Sequence, residues 1–252
     1  MFYRPMFYRP MFHQCKNSAF NLACFSVLML VSSWVSADQF ECLLEPHKVV
    51  NISSPVSGIL SKVTVERGDQ VSKGQVIARL KSDVEQAAVD LARERAEFGK
   101  RKMVRNEEMI QKNLISPSEK DELETESLIA RMELRQAEAV LTLRTIESPI
   151  YGVVVERYLS AGEFVQDEPI AKLAQLHPLN VEVIVPVDEL CNIRKGMKSV
   201  VTPLAMVKGK YKAKVVIVDQ VIDAASGTVG VRLELPNPNY KIPAGVKCKV
   251  NF

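Results

Sequence analysis

Histidine is scarce: the 252 residues hold three. The two that lie beyond residue 37, His47 and His177, stand alone in the sequence. There is no Gly-x-Ser-x-Gly elbow and no pair of metal-binding spacings, so no nucleophile and base are assembled. The expectation is a protein with no catalytic residue, no metal ligand and no cofactor. Cysteine is also sparse after residue 37, with Cys42, Cys191 and Cys248 only. An odd number cannot all pair internally, and the spacing matches no zinc pattern. Buried or idle thiols are the default reading, and a bridge between Cys191 and Cys248 in the C-terminal region is left open. No methionine cluster argues for copper or silver transport.

A basic surface excess is missing too. The formal charge is +3, but Arg4, Arg9 and Lys16 lie in the first 37 residues, which contain no acid. The remainder balances at 30 bases against 30 acids. Phosphate binding through counterion release needs an excess of cations, so nucleic acid is not an expected partner.

The apolar run from Leu22 to Val31 is too short to span a bilayer comfortably. It follows a basic stretch and precedes Val35-Ser36-Ala37, a small-x-small triplet ahead of Asp38. Residues 1–37 therefore read as a cleaved signal peptide, which places the mature protein in an oxidising compartment. Cys24 follows only Leu22-Ala23, with most of the apolar run after it instead of before it, which argues against lipid attachment. Met1-Phe2-Tyr3-Arg4-Pro5 recurs as Met6-Phe7-Tyr8-Arg9-Pro10 before Met11, so a start at Met11 leaves a compact signal.

What is present is a duplication. Residues 54–76 lie over 148–170 at an offset of 94: Ser54-Pro55 on Ser148-Pro149, Gly58 on Gly152, Gly68 on Gly162 and Val71 on Val165. Ile77-Ala78-Arg79-Leu80 then matches Ile170-Ala171-Lys172-Leu173 with one residue deleted. Each copy reads as short strands between glycine turns at Gly58, Gly68 and Gly74 in the first, and Gly152 and Gly162 in the second. In the first copy Ile59, Val63 and Val65 alternate with Leu60, Lys62 and Thr64, the period of a half-buried strand. Two halves with one apolar face each bury those faces against each other, giving a small β-sandwich.

Between the halves, residues 81–144 contain one glycine and one proline and are dense in Glu, Arg, Lys, Ala and Leu. Leu123, Ser127, Ala130, Leu134, Ala137 and Leu141 recur at alternating four- and three-residue steps, a coiled-coil seam. The earlier stretch is less regular, with Val84, Ala88, Leu91, Ala92, Ala96 and Phe98. Ser116-Pro117-Ser118-Glu119 is a capping box with proline at the first helical position. One helix thus ends near Lys112-Asn113 and an antiparallel partner starts at Ser116, in a hairpin about 40 Å long. From Leu179 onward strands return at Tyr211–Val218, Thr228–Leu235 and Val246–Phe252, with a short helix from Asp188 to Lys195. These make a small antiparallel β-barrel.

The order of these parts resembles the HlyD-like periplasmic adaptor proteins, the membrane fusion proteins of efflux and secretion systems. The resemblance rests on Ser54-Pro55-x-x-Gly58 with Gly68-Asp69-x-Val71-x-x-Gly74-Gln75, and on Ser148-Pro149-x-x-Gly152 with Gly162-x-x-Val165. It implies a mainly β fold: a lipoyl-like (barrel-sandwich hybrid) domain in halves 38–80 and 145–178, split by an antiparallel coiled-coil hairpin over 81–144. A β-barrel over 179–252 follows. The family's hairpin tip carries an Arg-Leu-Ser pattern implicated in docking a TolC-like outer-membrane channel, and its spacing falls on Arg105, Met109 and Ser116. Methionine stands in for leucine at similar volume. The competing reading makes Ser116 a helix cap and Arg105 one more charge on a solvated helix.

The resemblance further implies a non-enzymatic subunit in the periplasm, associated with the inner membrane. It bridges an inner-membrane transporter of RND or ABC type, RND first, to the channel, and copies self-associate into a ring. About ten residues separate the cleavage site from the first half, and the chain stops after the barrel. The expectation is a minimal adaptor without the membrane-proximal domain, so that pump contact falls to the barrel. A lipoate or biotin carrier is excluded, because the helical insert occupies the turn that presents the modified lysine. The alternative is a periplasmic scaffold or regulatory protein that binds a different partner through its hairpin.

Overall fold

The computed structural model describes residues 39–252 apart from 113, 205 and 206, so the expected signal peptide lies outside the described residues. The chain begins with β1 (Gln39–Ser53), β2 (Gly58–Val63), β3 (Gln70–Val71) and β4 (Val76–Leu80). Helices α1 (Asp83–Gln111) and α2 (Pro117–Thr142) follow. Then come β5 (Thr145–Glu147), β6 (Gly152–Arg157), β7 (Phe164–Val165) and the long β8 (Pro169–Pro186). The last strands are β9 (Lys198–Pro203), β10 (Tyr211–Val218), β11 (Thr228–Leu235) and β12 (Lys247–Asn251).

The two copies interlock reciprocally. Strand β3 of the first pairs with β6 of the second, Gln70 opposite Val153 and Val71 opposite Gly152. Strand β7 of the second pairs with β2 of the first in the equivalent register, Phe164 opposite Ile59 and Val165 opposite Gly58. Backbone bonds repeat likewise: Gly68 N–H donates to Val154 O at 2.8 Å, and Gly162 N–H to Leu60 O at 2.7 Å. Gly68 and Gly162 adopt φ of +94° and +95°, the region open to glycine at little cost. The serine turns match as well, Ser54 Oγ donating to Val56 O and Ser148 Oγ to Ile150 O. Between the halves lies a core that includes Ile52, Leu60, Val71, Ile77, Val154 and Ile170.

The expected face of the first strand is partly reversed. Leu60 is 1% exposed and Ile59 is 40% exposed. The ladder between β2 and β4 shifts between Leu60 and Lys62, and one extra residue flips which side chains point inward. Leu60 and Val65 are therefore the buried positions, with Val63 packed against the same core.

Among the described residues, β1, β12, β9, β10, β11 and β8 form a barrel that closes through pairing of β1 with β8. Its core contains Leu44, Leu179, Val181, Val201, Val215 and Leu233. Full burial of such a side chain contributes about 1.5–3 kcal/mol. Residues 39–45, expected in the first sandwich half, instead supply the barrel's first strand: Cys42 and Leu44 lie in its core. Strand β8 likewise runs unbroken across the expected 178/179 boundary. β1 and β8 thus thread both cores as one ladder, with a register shift between Pro46 and Lys48.

The disulfide joins Cys42 to Cys248, residues directly opposite in the β1–β12 register. Cys191 is free and exposed. The open Cys191–Cys248 bridge is therefore replaced by one between the barrel's first and last strands. The short helix expected from Asp188 is a 3-10 segment over Val187–Asn192.

Candidate functional site at the helical pair

Helices α1 and α2 run antiparallel. Lys102 Nζ lies 2.6 Å from Glu126 Oε2, and Arg95 Nη1 lies 3.6 Å from Glu133 Oε2. Midway, a Cβ on Gly99 would sit 3.4 Å from the Ser127 Cα, so the backbones approach closely there. The α2 seam falls where the spacing predicts: Leu123 is buried, and Ser127, Ala130, Leu134, Ala137 and Leu141 are half-buried.

The α1 seam agrees with expectation at Ala92 and Ala96 and differs elsewhere. Val89, Ala92, Ala96 and Gly99 are its buried residues, at alternating three- and four-residue steps. Small residues win this face because they let the helices approach. The larger Val84, Leu91 and Phe98, expected to pack inward, are 79%, 57% and 51% exposed. They belong to a second row spaced like the first, Val84, Ala88, Leu91, Arg95, Phe98, Lys102, Arg105 and Met109. That row turns roughly 90° away from the seam, given ~100° of rotation per residue. With Ile129 of α2, Leu91 and Phe98 line an open groove of about 850 Å³. Acids crowd its α2 side at Asp121, Glu122, Glu126 and Glu133.

Arg105 and Met109 therefore stand on one exposed row, and Met109 is 42% exposed. Ser116 begins the second helix. Its Oγ accepts the Glu119 backbone N–H at 3.2 Å, the backbone half of the expected capping box. The turn between the helices closes with Leu114 N–H donating to Met109 O at 2.9 Å. Leu114 is 66% exposed, so the turn presents an apolar tip beside the row.

At the opposite end, Arg144 anchors the pair to the sandwich. Its Nη2 lies 2.5 Å from Glu85 Oε1 at the start of α1, and its Nη1 donates to Ser57 O at 3.0 Å. The Glu85 carboxyl is held below its usual pKa by a backbone N–H at the helix start and by the Arg144 guanidinium. The sequence offered no signal for Arg144, because its partners lie 59 and 87 residues away. Among the described residues, no helix is long and apolar enough to cross a membrane.

The chain is similar to proteins of known kind. The antibiotic efflux pump periplasmic linker protein ArpA of Pseudomonas putida is 23% identical over 216 residues, covering 79% of this chain and 58% of ArpA. The toluene efflux pump periplasmic linker protein TtgA of Pseudomonas putida matches equally, at 23% over 216 residues and 56% of its length. The chain thus spans less than two thirds of these curated relatives. Among solved structures, a MacA–MexA chimera containing the Pseudomonas aeruginosa MexA α-hairpin domain superposes with a TM-score of 0.71. It is 21% identical, covering 85% of this chain and 79% of the chimera. MacA of Actinobacillus actinomycetemcomitans gives 0.64 at 20% identity, covering 85% and 77%. These two likenesses establish the fold. The model of the CzcB-like barrel-sandwich hybrid domain matches residues 48–174, the interlocked halves together with the helical pair between them, and the chain belongs to that family.

Proposed function

We propose that this chain is a non-enzymatic periplasmic adaptor that bridges an inner-membrane transporter to a TolC-like outer-membrane channel, for efflux or export of small molecules. The names of the curated relatives, periplasmic linkers of efflux pumps, support the reading. In it, residues 1–37 direct export and are removed before Asp38, and the protein works at the periplasmic face of the inner membrane. Copies ring the channel axis, with the coiled-coil helical pair toward the outer membrane and the barrel toward the transporter, an RND-type pump first and an ABC exporter second.

The observation that carries the reading is the exposed α1 row ending at Arg105 and Met109 beside the apolar turn. Apolar side chains left in water on an otherwise charged helix lower their free energy when a partner covers them. Arg105 and Met109 supply that contact, and Ser116 holds the start of α2 in place beneath it. Met109→Asp tests this: folding stays intact, because Met109 lies off the buried seam of α1 and is partly exposed, and export is lost. Unchanged export at equal protein level removes Met109 from the docking surface.

A further inference from the structure

Outside the helical pair, the barrel carries a groove in its outer wall, across β9, β10, β11 and β8. The groove encloses about 550 Å³ and its lining is mostly apolar. That volume suits one drug-sized molecule, for which pockets span roughly 300–1,000 Å³. Val200 of β9 lies at one side, and Pro178 of β8 and Pro236 after β11 lie at the other. Short prolines facing long lysines leave the wall concave. The residue after Pro236 fixes that side: Asn237 is 1% exposed, and its Nδ2 donates to Leu176 O at 2.9 Å and to Ile242 O at 2.8 Å.

The rim is cationic. The chain from Leu190 to Val218 contains no acidic residue, and Lys198, Lys212 and Lys214 stand exposed along the groove. Lys198 lies directly across from Lys214 in the β9–β10 register, and Lys212 lies across from Val200. Like charges so placed destabilise a ladder. A single carboxylate of the lining answers the three ammonium groups, that of Glu234, across from Lys214. Among the described residues, none of these four groups is in an ion pair. At the proline side, His177 Nδ1 accepts the Asn237 backbone N–H at 3.0 Å, so the neutral ring carries its proton on Nε2 as a further donor.

We infer that this groove binds a small amphiphilic anion, a carboxylate or sulfonate head carried on an apolar body. The head meets Lys198 and Lys212, which face no carboxylate in the ladders, and it relieves the repulsion between Lys198 and Lys214. The body covers Val200, Pro178 and Pro236, together with the aliphatic stems of the lysines. A bounded groove on a hydrogen-bonded sheet favours one small molecule over a flat anionic surface. The inference goes beyond the bridging role, because a ligand on the barrel wall does not depend on what the helical tip docks.

The probe is dansylaminoundecanoate, whose emission rises and shifts to the blue in an apolar site. It is titrated below its micelle concentration into the purified chain at low salt. Saturable enhancement is expected, and the uncharged methyl ester of the same probe binds at least roughly tenfold more weakly. Lys198→Gln with Lys212→Gln weakens the probe by a similar factor, and an unchanged melting midpoint shows that this variant is folded. Lys247→Gln, on β12 outside the groove, leaves the affinity unchanged. The ester comparison uses the unaltered chain, so it decides the matter even where the double variant does not fold. No saturable enhancement, equal binding of the ester, or equal weakening by Lys247→Gln would each overturn the inference. So would a folded double variant that keeps the probe, including one that loses capture of an acidic protein or of phosphatidylglycerol vesicles instead. Cross-linking of the helical tip to a channel, measured on the same variants, reads the adaptor role separately.

Discussion

In the sandwich, Leu60, Ile77, Val154 and Ile170 are at most 1% exposed, whereas Leu91, Phe98 and Val84 of the helical pair are more than half exposed. The sandwich halves satisfy each other, strand for strand and bond for bond, and bury a shared core between them. The helical pair packs through Ala92, Ala96 and Gly99, and its larger side chains point into solvent. The difference separates two roles within one chain. Sandwich residues hold the scaffold together, and the outward row of α1 is the surface that the proposed docking would use.

The sharpest way to break that contrast lies within the sandwich itself. Gly58 and Gly152 occupy equivalent positions, yet a Cβ on Gly152 would lie 2.4 Å from the Ala174 carbonyl oxygen. On Gly58 it would lie 2.8 Å from Arg144 Nη1, the end of a side chain that can shift only by loosening its bonds to Ser57 O and Glu85. Gly152→Ala is expected to cost about 3 kcal/mol and lower the melting midpoint by roughly 8 °C. Gly58→Ala is expected to cost about 1–2 kcal/mol, since a side chain can yield where backbone cannot, although here it loosens the Arg144 bonds to Ser57 and Glu85. Equal losses at the two sites would show that the halves carry load identically.

Smaller effects are expected along the helices. Ser116→Ala removes the acceptor for the Glu119 N–H and costs about 1 kcal/mol, read as lower helix content on heating. Phe98→Ser is expected to cost no more than about 1 kcal/mol, because the ring is half exposed and lies off the buried seam. A loss of several kcal/mol there would return Phe98 to the core and erase the contrast.

Much of the scaffold was legible because its signals are local. The offset of 94 between Ser54-Pro55 and Ser148-Pro149, the glycines at positive φ and the Ser116 cap each depend on a few neighbouring residues. The α2 seam was legible because leucines mark it. The α1 seam was legible only at Ala92 and Ala96, because bulky side chains attract a pattern search, while closely packed helices prefer alanine and glycine. The bulge after Leu60 flips a strand face through one residue and leaves no mark in composition. The Cys42–Cys248 pairing and the Glu85–Arg144 anchor join residues far apart in sequence, so only the closed barrel and the folded helical pair bring them together. Val84, Leu91 and Phe98 were grouped with Ala92 and Ala96 for the same reason.

The most direct measurement is site-specific photo-crosslinking from Ile115, in the turn beside Met109, in intact cells, with the adduct identified by mass spectrometry. An adduct with an outer-membrane channel is predicted, and it would fix the direction of the helical pair as well as its partner. An adduct with a soluble periplasmic protein, or none despite normal expression, would contradict the adaptor account and leave Arg105, Met109 and Ser116 as ordinary helix surface.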